Sequence, residues 1–199
     1  LTLVVYGWFA LTLTLGSLFL FPLLAIGFTL TLGLVILILF RLLKLEQRSF
    51  LALILVILVP VLSVALTTEP TVFSGRDQGS IAEASYRLAT EQRLPFALPG
   101  SDAFFAIYGE GTALNFPGFA YTRDGALITQ FPLAYTAWLA SFYTLFRIDG
   151  FAIGNAVLLT LSLFSFYFLL RNFLHRLIAF LGTLLLSAAF LPTWFAKFT

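Results

Sequence analysis

LTLVVYGWFALTLTLGSLFLFPLLAIGFTLTLGLVILILF, residues 1–40, contains no Asp, Glu, Lys, Arg or His. Drawn out as one helix, this run would reach about 60 Å, twice the hydrocarbon core of a bilayer. It therefore has to fold back, and Gly16 to Pro22 is the place, giving spans near 2–20 and 22–41. The run does not read as a signal peptide: it lacks a basic start, and its uncharged length far exceeds an h-region.

The rest of the chain agrees with that beginning. Of its 199 residues 60% are hydrophobic and 10% charged, with a mean hydropathy of +1.02. Soluble domains are about 45–50% apolar and about 25% charged, so the composition points to an integral membrane protein. There is no Cys, which excludes a disulfide framework, a thiol nucleophile and a Cys-ligated metal. The absence of Met and the ending WFAKFT fit a fragment of a longer polytopic protein.

Charges then set the organisation. The linker RLLKLEQR carries Arg41, Lys44 and Arg48 against Glu46, and a third apolar segment, 50–67, holds Pro60. Residues 69–124 contain seven of the nine acids but four of the eleven basic residues. The positive-inside rule places the linker in the cytoplasm and the loop 68–130 on the extracytoplasmic side. Three apolar segments follow, 131–146, 151–170 and 177–196, with the basic turn RNFLHR (Arg171, His175, Arg176) between the last two. That turn is cytoplasmic only if 131–146 does not cross. The segment is short for a span and dotted with Thr136, Ser141 and Thr144, so it reads as a juxtamembrane helix at the outer interface. The expected fold is all-α and integral to the cell membrane. It has about five transmembrane helices, an outer loop carrying a helix, and the juxtamembrane helix. Residues 1–48 form a two-helix extension with its linker, and 49–199 the main membrane domain.

Within the loop, Ile81, Ala84, Ser85 and Leu88 share one face of a helix over 80–92. Ser80 and Glu83 have capping-box spacing, and Glu83 to Arg87 is an i,i+4 ion pair. AYTRDGALIT puts Asp124-Gly125 between β-prone runs, a hairpin signal. LPFALPG and NFPG are turn-rich connections.

Several chemistries are absent. His175 is the only His, so no His-based triad or His-rich metal site can form. No phosphate-binding Gly-rich loop occurs, and no dense basic patch suggests nucleic acid. What remains is carboxylates and arginines on one wet face. Asp77, shortly after the third span, could act as a general base toward a hydroxyl, and Arg76 could hold a phosphate. The local alternative is that Asp77 caps a helix beside a solvated Arg76. Glu83 is likewise explained by capping, Asp124 by its turn, and Arg87, Arg93 and Arg123 by surface exposure. Trp138 and Trp194 suit interfacial aromatic belts.

The chain resembles the GT-C superfamily of membrane glycosyltransferases, near the protein O-mannosyltransferase and aminoarabinose transferase branch. RDQGSIAEASYRLA (76–89), QFPLAYTAWLASFYTLF (130–146), LLRNFLHR (169–176) and LPTWFAKFT (191–199) carry the resemblance, which covers residues 50–199. Asp77 matches the family's catalytic acid, although the family's Asp-Glu pair is Asp77-Gln78 here. Glu83 matches an acid of the first loop, and Lys197 a basic residue opening the second. The resemblance implies transfer of a hexose or pentose from a polyprenyl-phosphate lipid to an outer-face acceptor, whether protein, lipid or glycan. Asp77 would be catalytic, with Arg76, Glu83, Arg87 and Lys197 at the substrates. No cofactor is implied and the visible ligands demand no metal, though further loops could supply one. The fragment alone is expected to be inactive. A rival reading is a transporter or flippase for a lipid-linked substrate, with the loop as a lid. Against it, the charges flank the spans and only Pro60 interrupts one deeply. A third is a structural subunit in which Asp77 is only a cap.

Overall fold

A computed structural model describes residues 2–45, 47–68, 77–112 and 118–189. Most of the described residues of the fold are helical, a share well above that usual for soluble domains. Its elements are α1 (Thr2–Leu15), α2 (Phe21–Leu45), α3 (Gln47–Thr67), α4 (Asp77–Glu91), α5 (Ser101–Tyr108), β1 (Phe119–Tyr121), β2 (Leu127–Thr129), α6 (Leu133–Phe146), α7 (Asp149–Arg171) and α8 (Arg176–Ala188).

Two stretches are long and apolar enough to cross a membrane, Phe21–Ile38 and Asp149–Arg171. Five such spans were expected; the other described apolar helices, Thr2–Leu15, Leu53–Thr67 and Arg176–Ala188, are shorter. The clearest difference is α1, which stops at Leu15 rather than near residue 20. Its 14 residues reach about 21 Å, well under the ~30 Å of a hydrocarbon core. The stop is a Schellman turn: Leu18 N–H donates to Leu13 O (2.9 Å) and Ser17 N–H to Thr14 O (3.2 Å). Ser17 takes the left-handed position at φ 54°. The basic linker is also mostly helical, since α2 runs through Leu45 and α3 starts at Gln47. Helix α3 continues through Pro60 without a break.

The chain forms two compact units, one from residues 1–31 and 71–151, the other from 32–70 and 152–198. In the second unit, Leu53, Ile57, Val61 and Val64 form one stripe of α3, packed with Ala156, Leu159 and Leu163 of α7. Helix α8 packs on α3. It buries Ala179, Thr183 and Ser187, a small-residue stripe of the kind that lets membrane helices approach closely. Leu177, Ile178, Leu181, Leu184 and Leu185 on α8 stay exposed. The turn before α8 is closed by His175, whose ring Nδ1 accepts from Leu177 N–H at 3.4 Å.

The first unit is built around α6, on which α1 and α4 both pack. Seven consecutive residues, Thr136 to Phe142, are buried. A juxtamembrane helix lying at an interface would keep one face open, so α6 departs from that expectation: it is the centre of its unit. Trp138, read from sequence as a belt residue, is 5% exposed. Its ring packs edge-on to Tyr6 at 6.0 Å and lies over Gly7. A second cluster joins Ala84 of α4 to Phe96, Phe119, Tyr121 and Leu127.

The hairpin forms where Asp124-Gly125 placed it, with Phe119 opposite Thr129 and Tyr121 opposite Leu127. Thr122 N–H donates to Ala126 O (2.8 Å), closing a three-residue loop in which Gly125 has φ 76°. Phe96 adds a bridge to Leu127. Tyr121 donates its hydroxyl to Ser101 O at 3.2 Å, and its burial, followed by the nearby Asp102 carboxylate, pushes the phenol above its ordinary value. The neutral phenol is therefore the form the fold prefers. This contribution is whole below pH ~10, the unfolded value, and is lost as pH rises through the higher folded value. An ultraviolet titration of wild type against Tyr121→Phe should show the late-ionising phase reduced by one tyrosine.

Candidate functional site

Asp77 is the first residue of α4 and is exposed. A carboxylate there is favoured by the partial positive charge of the helix N-terminus. Among the described residues it makes no ion pair or hydrogen bond. Arg76 and Lys197, expected beside the substrates, lie outside the described residues, as does Trp194.

The helix begins at Asp77, three residues before the expected start. Ser80 and Glu83 therefore sit inside it and do not form a capping box. Glu83 instead is buried and accepts from Arg87 Nε (3.0 Å) and Nη2 (2.9 Å). Arg87 Nη1 reaches Glu91 at 3.1 Å, and Arg93 lies 3.6 Å from Glu91. The Arg87 guanidinium also sits 4.1 Å from the centre of the Phe96 ring, a cation–π distance. The expected Glu83–Arg87 pair is thus present, but in a different service. Two carboxylates and two guanidiniums balance, and the network pins α4 to the hairpin cluster through Phe96. Its only arginine facing the interior is already held by two acids and a ring, which leaves it poorly placed to take a ligand phosphate.

Asp77 does not join this network. Glu83 is six residues further along α4, about 9 Å up the axis and on another face.

Sequence reasoning missed the feature at the other end of α4. There Ala89 and Thr90, with Tyr143, Thr144 and Arg147 from the end of α6 and Phe21 from the start of α2, line a cleft of about 420 Å³. Thr90 Oγ1 donates to Tyr86 O at 2.9 Å and Thr144 Oγ1 to Ala140 O at 2.8 Å. Thr90 is 13 residues from Asp77, so cleft and carboxylate are separated by about 20 Å along the helix. In the sequence, Arg147 shows only as a charge closing an apolar segment.

No group of three or more His, Cys, Asp or Glu able to hold a metal occurs among the described residues. Comparison with known protein families, curated proteins and solved structures finds no match for this chain.

Proposed function

We propose that the chain belongs to an integral membrane glycosyltransferase of the GT-C type, moving a sugar from a polyprenyl-phosphate donor to an acceptor outside the cell membrane. The observation that carries this reading is Asp77. It is the one acid of α4 not tied up in an ion pair among the described residues, and it stands exposed at the head of the loop helix.

The membrane part has its own support. Large side chains such as Ile26, Leu30, Leu37, Leu55, Val59, Leu66, Phe168 and Leu185 are exposed along α2, α3, α7 and α8, far beyond the apolar patches that water tolerates. Helix hydroxyls satisfy themselves: Thr29 donates to Ala25 O (2.8 Å), Thr160 to Ala156 O (2.8 Å) and Ser162 to Leu158 O (2.9 Å). Hydrocarbon demands that economy of every polar group. Helix α1 packs on α6, which follows the outer loop, so in this reading α1 stays on the outer side. Helix α2 then enters from outside, α3 leaves, α7 enters, and the apolar sequence 177–196 that begins in α8 leaves. Four crossings keep every charge assignment that five would.

In the reaction, Asp77 takes the proton from an acceptor hydroxyl as that oxygen forms its bond to the anomeric carbon. The bond from that carbon to the phosphate oxygen breaks, and the lipid phosphate departs with the electron pair. Arg76 and Lys197 offset its charge. Glu83 and Arg87 hold α4, and hence Asp77, in place.

The test is sugar release from a panel of polyprenyl-phosphate sugars by the full-length protein in nanodiscs. Asp77→Asn keeps size and helix-end compatibility but cannot act as a base, so turnover should fall about 10²–10⁴-fold with donor binding retained. Turnover equal to wild type would remove Asp77 from the mechanism.

A further inference from the structure

Arg147 has φ 58° and ψ −142° at the end of α6, a region that glycine enters freely and a long side chain enters only under strain. The corner around it is fixed. Arg147 N–H donates to Tyr143 O (2.7 Å), Gly150 N–H to Arg147 O (2.9 Å) and Phe151 N–H to Ile148 O (3.2 Å). The sequence thus keeps an arginine where glycine would sit more easily, and turns it toward the cleft. Its guanidinium makes no ion pair among the described residues. The company it keeps is greasy: Phe146 is 36% exposed, Ile148 42% and Phe21 54%.

We propose that this cleft binds the phosphate of a membrane amphiphile. Arg147 holds the phosphate oxygens, and the hydrocarbon runs along Phe21 and Ala89. A small free phosphate fits poorly. The cleft lies at the C-terminal turns of α4 and α6, whose partial negative charge opposes an anion. The Thr90 and Thr144 hydroxyl protons are already given to backbone carbonyls, leaving Arg147 and the Tyr143 hydroxyl as donors of the lining. An amphiphile adds burial of its chain against the aromatic wall, which a bare ion lacks. The bland account, an arginine complementing a helix terminus from the interface, explains the charge but not the strained backbone or the cleft. The proposal rests on the membrane part of the reading above and not on sugar transfer, since Asp77 lies about 20 Å along α4.

The experiment uses the full chain in an uncharged, phosphate-free detergent, with native mass spectrometry and thermal unfolding as readouts. The probes are dodecyl phosphate, dodecanol and inorganic phosphate. Dodecyl phosphate should bind wild type and raise its unfolding temperature, at least tenfold more tightly than either other probe. Arg147→Gln should weaken that binding at least tenfold. Arg147→Gly relieves the backbone strain, so it should fold at least as well as wild type and still lose the binding. Equal binding of dodecyl phosphate to wild type and Arg147→Gly would overturn the proposal. So would dodecanol binding as tightly, or inorganic phosphate competing at equal concentration. Loss of sugar transfer with lipid binding intact would sink only the enzymatic reading.

Discussion

Gly150→Ala is expected to destabilise the protein by about 3 kcal/mol, because the added methyl group has no soft neighbour to displace. It would meet the Phe142 carbonyl and the Tyr143 nitrogen well inside van der Waals distance. Those atoms are backbone of α6, where Phe142 is fully buried, so relief requires moving backbone rather than turning a side chain. Phe151, next in sequence, is fully buried and its ring lies 5.4 Å from that of Tyr143, which ties the start of α7 to α6. Gly33→Ala is the matched control. Nothing lies within 4 Å of its new methyl, and in a helix interior the change should stabilise by up to about 1 kcal/mol. Denaturant unfolding of both variants in detergent tests the contrast. Equal midpoints would show that the α6–α7 corner yields more easily than its packing implies.

The second large effect is expected at Arg87. Removing the guanidinium with Arg87→Ala leaves the buried Glu83 carboxylate without its partner and uncovers the Phe96 ring. With the two side chains 19% and 11% exposed, some water reaches the pair. The cost is then about 2–3 kcal/mol, below that for a fully buried pair. Glu83→Gln should cost less, since Gln still accepts from Arg87. Combining the two changes should cost clearly less than their sum, as expected of residues in one network. Arg93→Ala, at a side chain 67% exposed, should stay within about 0.5 kcal/mol. Thermal unfolding of the four variants decides it. If Arg87→Ala unfolds like wild type, the network is ornamental and Arg87 is again available to a ligand.

Local signals in the sequence carried furthest. The Asp124-Gly125 turn and the i,i+4 spacing of Glu83 and Arg87 needed no knowledge of distant neighbours, and both stand in the structure. The mostly helical fold followed from long apolar runs. The readings that changed were those needing a partner. Ser80-x-x-Glu83 has capping-box spacing, but nothing local says the helix has already begun at Asp77. LAYTAWLASFYTLF is apolar around its circumference, and such a helix looks the same whether lipid or protein surrounds it; α6 proved to be covered by α1 and α4. The charge-free run 1–40 showed that the chain must turn, but not that Ser17 would take the left-handed position and end α1 at Leu15. Arg147 was the least legible of all, since its interest lies in a backbone angle and in residues 21, 89, 90, 143 and 144 gathered around it.

The pairing of α1 with α6 has a consequence for synthesis. Tyr6, Ala10 and Leu13 on α1 are buried, yet α6 leaves the ribosome roughly 120 residues after α1 does; at ~5–20 residues per second the delay is on the order of 6–24 s. Throughout that interval Phe19, Leu24 and Phe28 can pack on α1, but the face that Trp138 and Phe142 cover stays open. Either nascent-chain chaperones or the lipid beside the insertion machinery must shelter α1 until its partner is translated.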